Sequence, residues 1–582
     1  MEKPPQDEVA RMVRDILAGE PLTVAIRGIR NGQAIVAEQL GAAYESILSK
    51  PGKNGTPRRK SSGIYYTPTS LVQQIVTRTV GELVHRTRGR DGLTILDPAC
   101  GCGSFLLAAY QSLLDAHKQR KGRSLSLAER ARILLGSIHG VDADPHAVDL
   151  TRAALLLKMV EDTGELAADI PDLADNIRCG NALIGPDFKR PPARHFAPDC
   201  PPFDWTAFPE IEKGGGFDAV IGNPPWGQKE IDKNPVVKRY LRERFPSSVG
   251  IHDLFRPFVE LGVRLTANRG YFGMVLPDIV LLKNYQPTRR FLLDQLALTA
   301  IDWWGQAFPE AVIDAATIIG VKELASPKHR MTVAVHDPKR AMQHSIPQAD
   351  FAANPRQVFN LYLTAARRRL LNRLASFPRL GELFEIHEGV HSGNLRAELF
   401  VRKAVDESCR ELYFGRDEIT PYSLEWKGWH VRLAAVPSRK TRECYANLGK
   451  SEWHEQEKVL VRRTGDRVLA ALDRTGRYAS NNYFLVFPKR PCDLDLDGLC
   501  ALLNSRFMTW YFRTIEPRQG RVFAELKIKH LREFPLPAFG LELNDLGARR
   551  ALVSCQPALD HQIDRAVCQV FAIHLGELEN SV

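Results

Sequence analysis

The chain has 582 residues, which predicts two to four domains and excludes a miniprotein or a disulfide-stabilised scaffold. Hydrophobic residues make up 44% of the chain and charged residues 25%, and no apolar run approaches the roughly 18 residues that a membrane helix needs, so we expect a soluble protein. The net charge of +11 favours a polyanionic partner such as nucleic acid, and ten cysteines without a Cys-x-x-Cys pair argue against a zinc site.

The first 61 residues predict a helical segment followed by a basic linker. Val9, Met12 and Ile16 recur at helical spacing, and the stretch 50–63 combines glycine, proline and serine with five cations and no acid. Such a stretch is typical of a linker or of a loop that faces DNA. The first residues mix acids with bases and lack an apolar run before a cleavage site, so we expect no export signal and a cytoplasmic location.

Residues 62–325 predict the larger domain. Short apolar runs such as TILDPA, FDAVIGNPPW and DAATIIGV alternate along this region with stretches of helical periodicity. This alternation is typical of an α/β fold in which helices cover both faces of a mostly parallel sheet. We therefore predict a Rossmann-like core that binds its ligands at the carboxyl ends of the strands.

The rest of the chain predicts three further segments. Residues 326–380 predict a connecting segment that contains an arginine-rich helix, TAARRRLLNRLASF. Residues 381–545 interleave aromatic and basic residues with turns, which indicates a second domain of α/β or mostly β type. Residues 546–582 predict a C-terminal helix, because Leu559 and Ile563 fall on one helical face.

A glycine turn follows the first predicted strand. The strand ends at Asp97, and the turn into the next helix consists of Pro98, Ala99, Cys100, Gly101, Cys102 and Gly103. The turn lacks the third glycine of a dinucleotide fingerprint and the Gly-Lys-Ser/Thr of a phosphate-binding loop. A carboxylate beside a glycine turn suits a cationic ligand, and S-adenosylmethionine carries a sulfonium and an ammonium. The alternative is a turn without a ligand.

Two later strands also end in polar residues. Asp142, followed by Ala143, ends the second strand, where a carboxylate can accept both hydroxyls of a ribose. Asp144 precedes a proline and is typical of a helix cap. Asn181 follows the third strand, where its amide either pairs with an adenine edge or stabilises a plain turn.

The segment Asn223-Pro224-Pro225-Trp226 follows the strand FDAVIG and predicts chemistry on an exocyclic amine. The lone pair of such an amine is delocalised into the base, so the nitrogen is a poor nucleophile. If the Asn223 side-chain oxygen and the Pro224 carbonyl each accept one amine hydrogen, the lone pair becomes available without a strong base. Trp226 would stack on a base that has swung out of the duplex. The alternative is a turn with a packing tryptophan.

The glycine turn, the strand that ends in Asp142 and the Asn-Pro-Pro-Trp segment follow one another along the chain. In this order they resemble the motifs of the gamma-arranged adenine-N6 DNA methyltransferases of restriction-modification and phage-defence systems. A Thr-Pro segment precedes the glycine turn in that family, and Tyr66-Thr67-Pro68 matches it. The resemblance implies a site-specific enzyme that transfers a methyl group from S-adenosylmethionine to a flipped adenine in double-stranded DNA. It leaves open a separate restriction endonuclease or defence complex as a partner, and it implies no metal.

The resemblance also implies roles for individual residues. Those implied to bind S-adenosylmethionine are Tyr66, Thr67, Pro68, Asp97, Pro98, Ala99, Cys100, Gly101, Gly103, Asp142, Ala143, Asn181 and Asp253. Those implied to be catalytic are Asn223, Pro224, Pro225, Trp226 and Phe308. Phe308 would be a second aromatic beside the flipped base. Many family members have aspartate where this chain has Asn181.

Residues 381–545 resemble the target-recognition domains fused to such enzymes. Base edges in the major groove are read by arginine, asparagine and glutamine side chains. The candidates for this role are Arg462, Arg463, Arg467, Asn481 and Asn482. We expect the cations of residues 53–60 and the arginines of residues 367–373 to contact phosphates, which adds affinity without sequence information.

Other functions have weaker signals. His387 and His391 match a zinc-protease pattern with Glu411 as a third ligand, but the pattern needs a helix and Gly389 and Gly393 indicate a loop. Asp172 and residues 187–189 match a nuclease pattern that glycine and proline interrupt. An amino-methyltransferase that acts on RNA or on protein glutamine is the more serious alternative. A DNA-binding subunit with an inactive methylase core is the non-enzymatic one.

Overall fold

The computed structural model of the protein comprises two compact units, Met1–Leu361 and Tyr362–Val582. Within the described residues no helix has both the length and the apolar character that a membrane span requires. The structure describes residues 6–18, 20, 40–41, 43–44, 67–161, 170–188, 200–208, 215–227, 235–250, 253–282, 284–308, 314–337, 341–436, 445–465, 467–516, 525–537, 540–553 and 556–579.

The first unit is built on a nine-stranded sheet with the order β3-β2-β1-β4-β5-β7-β6-β8-β9. The strands are β1 (Ile95–Asp97), β2 (Ile138–Asp142), β3 (Ile177–Cys179), β4 (Phe217–Gly222), β5 (Thr266–Pro277), β6 (Ala297–Gly305), β7 (Ala315–Val321), β8 (Arg330–Val335) and β9 (Met342–Pro347). The five strands from β3 to β5 are parallel, and β7 runs antiparallel to both of its neighbours. The predicted α/β core with a mostly parallel sheet is therefore confirmed.

Helices cover this sheet, and several of their ends follow from local sequence. A capping box joins Ser126 and Glu129 at the start of one helix, and Asp144 caps the next, as predicted. The helices are α1 (Gln6–Leu17), α2 (Thr69–Val76), which continues through a π-helical turn (Thr77–Gly81), α3 (Glu82–Thr87), α4 (Ser104–Lys121), α5 (Leu127–Ser137), α6 (Pro145–Val160), α7 (Pro235–Arg244), α8 (Phe255–Leu265), α9 (Ile279–Leu282), α10 (Gln286–Gln295) and α11 (Gln348–Ala353).

The segment 326–380 differs from the predicted connecting segment. Its first part supplies β8 and β9 to the large sheet, and the first unit ends only at Leu361. Strand β9 alternates exposed and half-buried residues because it is an edge strand with one neighbour. Such a strand has little apolar content, so its sequence resembles a loop.

The second unit contains two four-stranded sheets, with the orders β10-β19-β16-β17 and β11-β15-β12-β18, and the hairpin β13-β14. Helices accompany these strands, and this mixture is one of the two types predicted. The strands are β10 (Phe384–Glu388), β11 (Phe400–Val401), β12 (Cys409–Tyr413), β13 (Ile419–Thr420), β14 (Ser423–Leu424), β15 (His430–Arg432), β16 (Lys458–Arg462), β17 (Ala470–Asp473), β18 (Tyr478–Ala479) and β19 (Tyr483–Pro488).

Helices pack on one face of the first of these sheets. Val459 and Val461 of β16 face that helical layer, whereas Leu460 faces the opposite side, as the alternation of a strand requires. The helices are α12 (Ala365–Leu374), α13 (Leu380–Leu383), α14 (Arg396–Leu399), α15 (Ser451–Glu455), α16 (Leu496–Asn504), α17 (Arg506–Ile515), α18 (Ile528–Arg532), α19 (Leu541–Ala551), α20 (Pro557–Val570) and α21 (Leu575–Glu579). The single C-terminal helix predicted over residues 546–582 is thus replaced by α19, α20 and α21, because a proline begins α20.

Candidate cofactor and catalytic site

The glycine turn after β1 is fixed by hydrogen bonds to its neighbours. Gly101 and Gly103 have backbone φ angles of 51° and 83°, which residues other than glycine rarely adopt. The backbone N–H of Gly101 donates to Oδ2 of Asp142 over 2.8 Å, and the Thr151 hydroxyl donates to the Gly101 carbonyl over 2.7 Å. A Cβ at Gly103 would lie 2.9 Å from the Thr151 methyl carbon. The turn therefore closes tightly over α6.

Asp97 lies at the end of β1 with its carboxyl group buried. Its Oδ1 accepts the backbone N–H of Ala99 over 3.0 Å, while Oδ2 accepts no hydrogen bond from the described residues. Burial, and to a smaller extent the nearby Asp142, raises its pKa to about 8. A Cβ at Gly222 would lie 2.5 Å from Oδ1, so the glycine at the end of β4 makes room for this carboxyl group. A cationic group at this position would favour the ionised form.

Asp142 lies at the end of the neighbouring strand β2. Its oxygens accept the backbone N–H groups of Gly101, over 2.8 Å, and Asp144, over 2.9 Å. Burial raises its pKa to about 6, and these two hydrogen bonds limit the rise. Each oxygen keeps a second lone pair, so the carboxylate can still accept hydroxyl donors. Tyr44 donates its hydroxyl to the capping Asp144 over 2.7 Å.

Asn181 follows β3 and takes part in a turn. Its side-chain oxygen accepts the backbone N–H of Leu183 over 3.1 Å, which is the plain-turn arrangement, and the NH₂ end of the amide remains for a ligand. Phe203 packs so closely that a Cβ at Gly180 would lie 2.6 Å from its ring, and Trp205 contacts Phe203 with ring centroids 4.8 Å apart. The sequence prediction missed these aromatics, although the cluster PPFDWTAF was a visible signal.

The side chain of Asn223 is held directly beyond the end of β4. Its Nδ2 donates to the hydroxyl oxygen of Thr67 over 3.0 Å. Its Oδ1 is buried and accepts no hydrogen bond from the described residues. Thr67 and Asn223 are 156 positions apart in the chain, so the fold brings the Thr-Pro segment to the Asn-Pro-Pro-Trp segment.

Trp226 and Phe308 contact each other. Their ring centroids are 5.3 Å apart and their planes are inclined by 84°, and both rings are buried. Two rings in this edge-to-face contact leave no parallel gap for a base. The predicted arrangement, in which both aromatics lie against a flipped base, therefore requires one ring to move or to contact the edge of the base.

Asp253 supports the backbone that follows Trp226. Its Oδ1 accepts the N–H of Gly227 over 2.9 Å, and its Oδ2 accepts the Tyr285 hydroxyl over 3.5 Å. The Leu254 N–H donates in turn to the Gly227 carbonyl. The structure thus gives Asp253 a contact with the residue that follows the Asn-Pro-Pro-Trp segment, whereas the resemblance implied a contact with the cofactor. Tyr66 lies outside the described residues.

Arg463 and Asn482, which were predicted to read DNA, are engaged within the second unit. Arg463 pairs with Glu525 over 2.9 Å and with Glu388 over 3.5 Å. Asn482 donates from Nδ2 to the Phe414 carbonyl over 2.7 Å. These contacts hold both side chains against the domain. Arg467 is exposed, and Arg462 and Asn481 are half-buried.

The arginines predicted to contact phosphate also differ in their surroundings. Arg367 is buried and donates to the Tyr362 carbonyl over 2.8 Å. Arg373 pairs with Glu577 over 3.2 Å, whereas Arg369 is exposed. Arg367 therefore contributes to packing, whereas contact of the exposed Arg369 with phosphate stays a prediction. The cations of residues 53–60 lie outside the described residues.

The zinc-protease pattern falls on a strand and a loop. His387 lies on β10, where its ring stacks on Trp453 with centroids 3.7 Å apart, and His391 lies beyond the end of that strand. A helix is needed to place the two histidines on one face. Within the described ranges, no cluster of three or more His, Cys, Asp or Glu residues is suited to a metal ion.

Two sequence families match different parts of the chain. Residues 136–307 match the Eco57I restriction-modification methylase family, and residues 410–536 match the TaqI-like C-terminal specificity domain. The type II restriction enzyme and methyltransferase RM.Eco57I of Escherichia coli is 28% identical over 267 residues, which cover 41% of this chain and 26% of that protein. The type II methyltransferase M.TthHB8I of Thermus thermophilus is 25% identical over 478 residues, which cover 81% of this chain and 90% of that protein.

Among solved structures, the type IIL restriction-modification enzyme MmeI in complex with DNA superposes with a TM-score of 0.59 at 14% identity. The superposition covers 94% of this chain and 79% of that one, and at this identity it shows the fold alone. The chain spans only about a quarter of the length of the Escherichia coli relative. The two family matches lie one in each compact unit. The chain therefore contains an Eco57I-type restriction-modification methylase domain followed by a TaqI-like C-terminal specificity domain.

Proposed function

We propose that the chain is a DNA methyltransferase of a restriction-modification system, and that it methylates N6 of adenine in double-stranded DNA. The observation that carries the proposal is the amide of Asn223. A buried amide oxygen that accepts no hydrogen bond lowers the stability of the folded protein. Such an oxygen therefore indicates a ligand that supplies the missing donor. An exocyclic amine is a ligand of this kind.

The residues around the glycine turn fit S-adenosylmethionine. Asp97 offers a buried carboxyl oxygen to a cationic group, and Asp142 offers lone pairs to ribose hydroxyls. The NH₂ end of Asn181 and the rings of Phe203 and Trp205 supply a polar edge and an apolar face beside them. When bound, S-adenosylmethionine supplies an electrophilic methyl group on its sulfonium.

Asn223 and Pro224 prepare the target nitrogen. The Asn223 oxygen accepts one amine hydrogen and the Pro224 carbonyl accepts the other, which draws the nitrogen toward tetrahedral geometry and localises its lone pair. The acceptors are fixed in advance, so no reorganisation is needed when the nitrogen becomes positive. Trp226 stacks on the extruded base and keeps water away from the nitrogen.

The second unit would supply the choice of DNA sequence. Its TaqI-like specificity domain supports this assignment, and the chain's net charge of +11 favours a polyanion. With Arg463 and Asn482 engaged, Arg467 and Asn481 are the stronger candidates for base reading. The partner of such a methyltransferase would be a separately encoded restriction endonuclease. Methylation would protect DNA from cleavage by that enzyme.

The test is to incubate the full-length protein with S-adenosylmethionine and duplex DNA and to identify the methylated nucleoside by mass spectrometry. We expect N6-methyladenine, and long-read sequencing of DNA from expressing cells should place it in one sequence motif. N4-methylcytosine as the product would contradict the choice of base. Modification of RNA or of a glutamine peptide, with DNA left unmodified, would establish the alternative function.

Asn223→Ala is the accompanying variant. It should lower the rate of methyl transfer by about a hundredfold or more, because it removes an acceptor that acts on the target amine, while cofactor affinity stays largely unchanged. Asn372→Ala, at an exposed position of α12, is the matched control and should retain wild-type turnover. A rate near wild type for Asn223→Ala would reject the catalytic assignment.

A further inference from the structure

The hydroxyl group of Thr67 contacts the amide that the proposed reaction uses. The resemblance assigned Thr67 to the cofactor, but in the structure its oxygen accepts the Nδ2–H of Asn223 over 3.0 Å. We infer that Thr67 is a positioning residue, which holds the plane of the Asn223 amide so that Oδ1 faces the target amine. This inference rests on the proposed function. It adds a second segment of the same chain that shapes the catalytic geometry.

The backbones on both sides of this hydrogen bond are stiff. Thr67 stands immediately before Pro68, and Asn223 stands immediately before Pro224. A residue before proline is restricted to extended conformations, because the proline ring clashes with the helical one. Thr67 is also β-branched and buried, which limits its side-chain rotamers. The donor and the acceptor are therefore presented by two segments that have little freedom to drift apart.

Helix α2 anchors Thr67 to the sheet. The helix begins two residues after Thr67, and it packs on β5, which neighbours β4, the strand that directly precedes Asn223. At Gly273 of β5 a Cβ would lie 3.0 Å from a methyl carbon of Ile75 and 2.8 Å from that of Thr79. Only a glycine permits this close approach. The position of the Thr67 hydroxyl is thus set by the packing of a whole helix.

Loss of the hydroxyl would release the amide. Without an acceptor, the buried NH₂ group of Asn223 would have to rotate toward another partner, and Oδ1 would turn with it. A displacement of about 1 Å at a reacting group can cost up to about a hundredfold in rate. The effect would fall on the methyl-transfer step and not on the binding of cofactor or DNA.

The experiment compares Thr67→Val, Thr67→Ala and Thr67→Ser with wild type in single-turnover methylation at saturating DNA and S-adenosylmethionine. Val and Ala remove the hydroxyl, whereas Ser keeps it. We expect Val and Ala to lower the rate tenfold to a hundredfold, and we expect Ser to restore most of it. Thr87→Val is the matched control, because the Thr87 hydroxyl bonds only within α3 and its loss should leave the rate unchanged.

Two further measurements separate this role from the others. Calorimetry should give the same S-adenosylmethionine affinity for Thr67→Val and wild type, and a crystal structure of Thr67→Val should show the Asn223 side chain rotated or in two orientations. If Val weakened cofactor binding but left the saturated rate unchanged, or if Asn223 kept its position, the positioning role would be overturned. If wild type methylated no substrate, the proposed function would fail, and the crystal structure would still decide whether Thr67 orients Asn223.

Discussion

The two acidic residues of the site differ in how the protein satisfies them. Asp142 receives two backbone hydrogen bonds, whereas Asp97 receives one and keeps a buried oxygen without a donor among the described residues. The pKa of Asp97, at about 8, is correspondingly higher than that of Asp142, at about 6. Without cofactor, Asp97 is therefore largely protonated at neutral pH, and a cationic ligand would have to displace its proton.

This protonation predicts a pH-dependent cofactor affinity. Between pH 6 and pH 8, S-adenosylmethionine should bind wild type more tightly as the pH rises, because less work is needed to ionise Asp97. Asp97→Asn should lose this dependence. The comparison uses the difference between the two proteins, since the α-amino group of the ligand itself titrates near a pH of roughly 7.7 to 8.0. Calorimetry at several pH values makes the measurement, and parallel curves would refute the role of Asp97.

The same group affects folding stability in the opposite direction. A carboxyl group whose pKa rises from 3.8 to about 8 on folding binds more protons in the folded state between these values. Its stabilising contribution is complete below pH 3.8 and is lost as the pH rises toward about 8. The melting temperature of the cofactor-free wild type should therefore fall more steeply from pH 6 to pH 8 than that of Asp97→Asn.

Trp226 should carry much of the affinity for the extruded base. Stacking of a base on an aromatic ring contributes roughly 1 to 3 kcal/mol, so Trp226→Ala should lower turnover severely, while Trp226→Phe should be tolerated. A fluorescent 2-aminopurine at the target position should brighten when the wild-type protein binds. A constant signal would argue against base extrusion.

At the scale of single residues, the sequence predicted positions better than partners. The sequence predicts that Asp97, Asp142 and Asn223 lie at the carboxyl edge of a sheet, because a strand followed by a characteristic turn marks that edge, and the structure places all three there. The engagement of Arg463 with Glu525 joins residues 62 positions apart, which no local pattern reveals. The bond between Thr67 and Asn223 spans 156 positions and was missed for the same reason.

At the scale of elements, a fully buried ion pair joins two strands of the second unit. Lys458 of β16 faces Asp473 of β17 in register, and its Nζ donates to Oδ2 over 2.6 Å with both side chains fully buried. The carbonyls of His454 and Gln456 accept its other hydrogens. Burial lowers the pKa of Lys458, and the nearby Asp473 opposes this shift. Each buried charge is therefore compensated by the opposite charge of the other residue.

Removal of one partner of the Lys458–Asp473 pair should strongly lower the free energy of unfolding. Asp473→Asn would leave a buried ammonium without its counter-charge, and it should lower the free energy of unfolding by about 3 to 5 kcal/mol. Asp417→Asn, which breaks the exposed pair with Lys427, should lower the free energy of unfolding far less, because solvent screens that pair. Denaturant unfolding of the two variants makes the comparison. Equal losses would mean that burial does not govern the strength of these pairs.

Elements with strong apolar patterns were predicted and those with mixed patterns were not. β4 and β7 are buried along nearly all of their length, and their continuous apolar runs identified them. β9 alternates at a sheet edge and was taken as part of a connecting segment. The helix predicted over residues 546–582 is likewise divided, since α19 ends at Ala551 and α20 begins at Pro557.

At the scale of the whole molecule, the boundary between the units after Leu361 makes a truncation test possible. The core of the second unit includes Leu370 and Leu374 of α12. A chain cut near residue 380 would therefore keep α12 but lose the core on which this helix packs. A chain that ends at Leu361 should still bind S-adenosylmethionine but should lose methylation at a specific sequence, because the specificity domain is absent. Calorimetry and long-read sequencing would check both parts. Modification of the same motif by the shortened chain would place recognition in the first unit.

The unsatisfied oxygens of Asp97 and Asn223 also bear on how such a protein changes over generations. Each buried acceptor without a donor destabilises the fold by about 1 to 3 kcal/mol, so selection for stability alone would replace both residues. Under the proposed function, selection for methylation retains them. A lineage that no longer needs to mark its DNA should therefore lose these two positions early, while the sheet that surrounds them persists.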